Sequence, residues 1–91
     1  MKHAISARVV GRVQGVYFRA ATQIEAYKLG ITGWVKNTAE GDVWVEAEGN
    51  ENNLEQFILW LNKGPKLAKV KQVIVKSSDA SNSFHGFDIR S

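Results

Sequence analysis

The stretch Gly11-Arg12-Val13-Gln14-Gly15-Val16-Tyr17-Phe18-Arg19 collects residue types that can hold an anion. An apolar run from Ala4 to Val10 precedes it, and a run of good helix formers from Arg19 to Leu29 follows it. A strand that leaves through a glycine-containing loop and re-enters as a helix points backbone N–H groups into the loop. The positive end of the helix dipole adds to them. Arg19 stands where the helix should begin, a placement the dipole disfavours for a cation, and a bound anion would resolve the repulsion. No Lys-Ser/Thr pair follows, nor the third glycine of a dinucleotide fingerprint, so nucleotide binding is unsupported. The other candidate is Asn37, at the end of a strand-like run. Read alone, Asn37 suits a turn as well as it suits a site.

The rest of the inventory narrows the chemistry. There are no cysteines, so no thiol nucleophile, thiolate metal site or disulfide is available. His3 and His85 lie near the two ends and read as surface residues. The acids are concentrated between Glu40 and Glu55, away from the loop. An arginine, an asparagine and backbone amides, with no evident general base or metal, suit only an activated substrate. A mixed carboxylic–phosphoric anhydride fits, because its carboxylate leaving group needs no protonation. Catalysis then reduces to holding the phosphoryl group, stabilising its charge and orienting a water.

The elements that must position these groups follow from periodicity. Ile5, Ala7 and Val9 alternate with Ser6, Arg8 and Val10, which predicts a half-buried strand over 4–10. Residues 19–29 predict a helix ended by Gly30. Ile31 to Asn37 predicts a second strand, Thr38-Ala39-Glu40-Gly41 a hairpin turn with Gly41 at positive φ, and Asp42 to Glu48 a third strand. In that strand Val43, Val45 and Ala47 face in and Trp44, Glu46 and Glu48 face out. Leu54, Phe57, Ile58 and Leu61 mark a second helix, capped by Asn50 or Asn52 and ended at Gly64-Pro65. An irregular fourth strand, able to hold a bulge, runs from about Lys69 to Lys76. Ser77 to Ser83 reads as a polar loop and Phe84 to Arg90 as a short closing strand. The β-α-β-β-α-β order with a terminal strand predicts an α+β, ferredoxin-like split βαβ sandwich, two helices on one face of a mostly antiparallel sheet. The first crossover makes strands one and two parallel, so the loop after Val10 and the turn after Asn37 share a sheet edge. Asn37 is in phase with Ile31 and Val35, which points it beneath the first helix toward Arg19.

At 91 residues the chain predicts one domain over 1–91. Its apolar runs are too short to cross a bilayer. Met1-Lys2-His3 leads straight into a strand without a cleavable apolar segment, so a cytoplasmic protein is expected, and a monomer is the simplest state. Net charge is +3. The lysines between Lys63 and Lys76 lack interleaved aromatics and read as a solvated face guarding an edge strand. A nucleic-acid module of the same topology would use Trp34 and Trp44 on the open sheet face, but Glu46 and Glu48 share that face and would repel phosphates. A non-catalytic binder of phosphorylated metabolites remains a second alternative.

The residues Gly-Arg-Val-Gln-Gly-Val-Tyr-Phe-Arg at 11–19, with Gly33-Trp34-Val35-Lys36-Asn37-Thr38 and Gly41-x-Val43, resemble the acylphosphatase family across essentially the whole chain. Gly64-Pro65 followed by Val70 matches later landmarks of that family. The resemblance implies a small hydrolase of acyl phosphates that needs neither metal nor cofactor. Carried over by motif position, it implies that Arg19 binds the phosphoryl group together with the loop formed by Gly11, Arg12, Val13, Gln14, Gly15, Val16, Tyr17 and Phe18. Asn37 orients the attacking water, and Thr38 buttresses Asn37. Inorganic phosphate or sulfate would occupy the same loop, and no nucleic acid or membrane partner is implied.

Overall fold

Apolar alternation along the strands is what the sheet is built on. A computed structural model describes residues 2–91; Met1, the first residue of the stretch read as lacking a leader, lies outside them. Along the chain come β1 (Lys2–Arg12), α1 (Phe18–Lys28), β2 (Thr32–Asn37), β3 (Val43–Asn50), α2 (Glu51–Lys63), β4 (Lys69–Asp79) and β5 (Phe87–Arg90). The strands form a single sheet in the order β4-β1-β3-β2-β5, antiparallel except where β2 runs parallel to β5. With β3 antiparallel to both, β1 and β2 point the same way. Their C-terminal ends therefore reach the same edge, as the crossover required.

Ile5, Ala7 and Val9 of β1, Val35 of β2 and Val43, Val45 and Ala47 of β3 are all buried on the helix side. Leu54, Phe57 and Leu61 of α2 and Phe18, Thr22 and Ala26 of α1 meet them there. Each large side chain so buried contributes about 1.5–3 kcal/mol. Phe57 meets Phe87 of β5 edge-on at 5.9 Å, and Phe18 meets Trp60 at 5.6 Å between ring centres. Phe18 thus pins the first residue of α1 into the core. Leu29 ends that helix, with Ile31 N–H donating to Ala26 O at 2.9 Å and Gly30 N–H to Tyr27 O at 3.3 Å, a Schellman pair. Gly41 turns the β2–β3 hairpin with φ 94°.

Several boundaries differ from the expectation, and β3, expected to end at Glu48, runs on through Gly49 and Asn50. β1 starts at Lys2 and continues through Gly11 and Arg12, so the loop proper is only five residues, 13–17. Helix α1 begins one residue early, at Phe18. β4 extends through Ser77, Ser78 and Asp79, because β1 offers Ile5, Ala4 and His3 as partners for them. The closing strand is limited to residues 87–90. Glu48, assigned outward, is only 3% exposed. It does share a face with Trp44 and Glu46, but the segment after β4 folds back over it. The expected irregularity is present: Val10 pairs with Gln72 and Gly11 with Val70, leaving Lys71 as an extra residue on β4.

Candidate active site

The two helix starts contrast sharply. Helix α2 is neutralised in the ordinary way, with Asn50 accepting from Asn53 N–H at 2.9 Å and Glu51 in its first turn. Helix α1 has no side-chain cap and no acid in its first turn, and Tyr17 precedes it in the left-handed region with φ 64°. Free N–H groups, the positive dipole end and Arg19 coincide there. That arrangement is electrostatically incomplete without an anion.

A cleft of ≈ 370 Å³ opens at this point, lined by Val13, Gly15, Tyr17, Phe18, Arg19, Ala20, Asn37 and Ile89. Arg19 is half-buried and its Nη1 donates to Arg90 O at 3.1 Å, so the last residues of β5 hold the guanidinium. Asn37, at the C-terminal end of β2, has its Oδ1 buried with no hydrogen-bond partner among the described residues. A buried acceptor left unpaired costs about 1–3 kcal/mol, and it marks a place where something else donates.

The nine residues 11–19 divide by what they do. Gly11 and Arg12 belong to β1 rather than to the loop, and neither lines the cleft. Gly11 lets β4 approach: a β-carbon on it would overlap Lys69 O and lie 2.7 Å from Lys71 N. Val16 is in the core. Gln14 turns from the cleft and donates from Nε2 to Thr38 O and Asp42 O, both at 2.9 Å, bridging the loop to the hairpin that follows Asn37. Thr38 likewise lies outside the cleft; its Oγ1 accepts from Asp42 N–H at 3.1 Å and fixes the turn. Val13, Gly15, Tyr17, Phe18, Arg19 and Asn37 are brought together. Ala20 and Ile89, which also line the cleft, escaped the sequence reading. Ile89 shares the phase of Phe87, but nothing in the sequence showed that β5 would lie beside β2.

The open sheet face is occupied by its own contacts. The Arg90 guanidinium lies 4.6 Å from the centre of the Trp34 ring and that of Arg8 5.5 Å from Trp44. Trp44 Nε1 donates to Glu46 at 2.8 Å, Ser6 Oγ to the same carboxylate at 3.1 Å, and Arg8 to Asp42 at 3.0 Å. Trp34 and Trp44 are each stacked against an arginine of the chain, and Trp44 is also hydrogen-bonded.

Fold and site together define a small α+β protein with a cleft at one end of a ferredoxin-like sheet, where Arg19 and Asn37 meet the uncapped start of α1. The acylphosphatase family profile matches residues 5–89. An acylphosphatase from Salinibacter ruber is 48% identical over 86 residues, covering 94% of this chain and 90% of that protein. The crystal structure of acylphosphatase from Bacillus subtilis superposes with a TM-score of 0.94 at 39% identity, over 98% of this chain and 99% of that one. The structure of an acylphosphatase from Coxiella burnetii gives 0.89 at 36% identity, over 98% of this chain and 93% of that one. The chain belongs to the acylphosphatase family. Among the described residues no helix is long and apolar enough to cross a membrane.

Proposed function

We propose that the chain, acting as one monomeric unit in the cytoplasm, hydrolyses acyl phosphates to a carboxylate and inorganic phosphate, without metal or cofactor. Water attacks phosphorus in line, the bond from phosphorus to the bridging oxygen breaks, and no phosphoenzyme forms. Arg19 and the main-chain N–H groups from Gly15 to Arg19 hold the phosphoryl oxygens. Charge that builds on those oxygens in the transition state meets donors already in place, so little reorganisation is needed. Asn37 Oδ1 accepts a hydrogen bond from the attacking water and fixes its position. The carboxylate leaves unprotonated, and a phosphoryl oxygen takes the proton of the water. Gln14 and Thr38 act at one remove, by holding the loop and the turn after Asn37 in register. Inorganic phosphate, as product, occupies the same cradle.

The observation that carries this reading is the unpaired, buried Asn37 Oδ1 on the wall of the cleft that holds Arg19. Initial rates with benzoyl phosphate test it. Arg19→Ala should lower kcat/KM by about 10²–10³ or more, the usual loss for one preorganised donor. Circular dichroism should stay that of the parent. A variant within a factor of three of the parent would remove Arg19 from the phosphoryl site.

A further inference from the structure

We propose that Arg8, on the open face of the sheet, is a positioning residue that grips the turn after Asn37 and so holds the water-orienting amide in place. This rests on the acyl phosphate reading above and adds to it a residue from outside the cleft. Asn37 closes β2, and residues 38–42 turn the chain back into β3. That turn is closed largely on itself. Thr38 N–H donates to Asp42 O at 2.9 Å, Gly41 N–H to Thr38 O at 3.3 Å, and Asp42 N–H to Thr38 Oγ1 at 3.1 Å. On the open face a hollow of ≈ 370 Å³ lies against it, bounded by Arg8, Trp34, Lys36 and Trp44 and by residues 37–40. Asn37 thus lines both this hollow and the cleft, and the turn that carries it has room to shift toward the open face.

Arg8 supplies the charged tie across that hollow. Its Nη1 lies 3.0 Å from Asp42 Oδ2 and 3.8 Å from Glu40 Oε1, and among the described residues these are the only ion pairs. The Asp42 side chain is 15% exposed and that of Arg8 38%. The closer pair is therefore partly shielded from water and salt, and holds better than one in free solvent. Arg8 is itself well anchored. It pairs with Trp44 on one side and Ile74 on the other, in the interior strand β1, and its guanidinium lies 5.5 Å from the centre of the Trp44 ring. A strand bonded on both sides thereby fixes a turn at the sheet end. Gln14 holds the Thr38 and Asp42 carbonyls from the loop, so the turn is gripped from two directions, and without Arg8 only one remains.

The test measures initial rates on benzoyl phosphate for Arg8→Gln, made in the parent and in Asn37→Ala. A misplacement of about 1 Å costs a rate on the order of 10²-fold, so a turn that is loosened should cost about tenfold in kcat. Arg8 does not line the cleft, so KM should stay within about twofold of the parent. In Asn37→Ala the same substitution should change kcat by less than about twofold, because the group it positions is gone. One guanidinium nitrogen makes both contacts, and an ammonium can stand in for it, so Arg8→Lys should recover kcat to within about threefold of the parent. An equal fractional loss in both backgrounds would overturn the proposal, since a merely structural role acts with or without Asn37. A parent-like kcat in Arg8→Gln would overturn it as well. Either result with an active parent leaves the acyl phosphate reading standing; a parent that fails to hydrolyse benzoyl phosphate overturns both. Should Arg8→Gln misfold, Asp42→Asn breaks the same pair from the turn. Its kcat should fall by a similar factor, and a parent-like value there would equally overturn the positioning role.

Discussion

At the scale of single residues, Asn37 separates function from stability. Its Oδ1 is buried and unpaired, so replacing it with alanine removes an unsatisfied acceptor as well as a water-positioning group. Removing such an acceptor by an apolar truncation is close to neutral for folding, within about 1 kcal/mol. Asn37→Ala should therefore unfold in urea within about 1 kcal/mol of the parent while its kcat on benzoyl phosphate falls by about 10²–10³. A loss of more than 2 kcal/mol, together with retained turnover, would make Asn37 a structural residue. That Arg19 and Asn37 line one cleft was legible in the sequence, because the phase of β2 and the parallel course a crossover imposes on β1 and β2 are both written in short-range pattern. The Arg90 carbonyl that holds Arg19, and Ile89 beside it, were not. Both depend on which strand β5 joins, and four residues of alternating phase carry no information about a neighbour.

At the scale of elements, the loop takes its direction from the β1–β4 ladder. Gly11 sits at φ 137° where the register slips past Lys71, and the β4 backbone fills the space a side chain would need. Gly11→Ala must push β4 away or distort the end of β1, so we expect a loss of about 2–3 kcal/mol in urea unfolding. Because β1 runs directly into Val13 at the cleft, KM for an acyl phosphate should rise as well. An unchanged unfolding midpoint would mean that β4 yields at no cost. The glycine itself was visible in the sequence, but a glycine that forms a loop and one that admits a neighbouring backbone look identical there. The reach of β4 was hidden for a related reason. Ser77, Ser78 and Asp79 have the composition of a loop, and they extend because β1 presents an unpaired edge to them.

At the scale of the whole molecule, Glu48 ties the segment after β4 to the middle of the sheet. Alternation placed it in solvent, and only a contact 33 residues distant puts it under cover. Burial pushes the carboxyl up, but donation from Ser81 Oγ and N–H and from Asn82 N–H, at 2.7–2.9 Å, with the Lys2 ammonium, leaves it below its ordinary value of 4.5. A lowered carboxyl pKa means that the folded state favours the ionised form. The stabilisation is complete above the unfolded value of 4.5 and is lost as pH falls through the lower, folded one. Glu48→Gln should cost about 1–3 kcal/mol at pH 7, where it gives up charge-assisted bonds. The deficit should narrow as pH falls below 4.5, because the parent then loses the same charge. Urea unfolding of both proteins across that range checks the sign, and a deficit independent of pH would remove the carboxylate from the account. The anchored segment leads through Gly86, whose carbonyl accepts from Gly33 N–H at 2.8 Å, into β5. There it delivers Ile89 and the Arg90 carbonyl to the cleft. A carboxylate on the open face thereby fixes the start of the path by which the chain reaches Arg19, so the Glu48→Gln variant should also show weakened binding of acyl phosphate, read as a raised KM at pH 7.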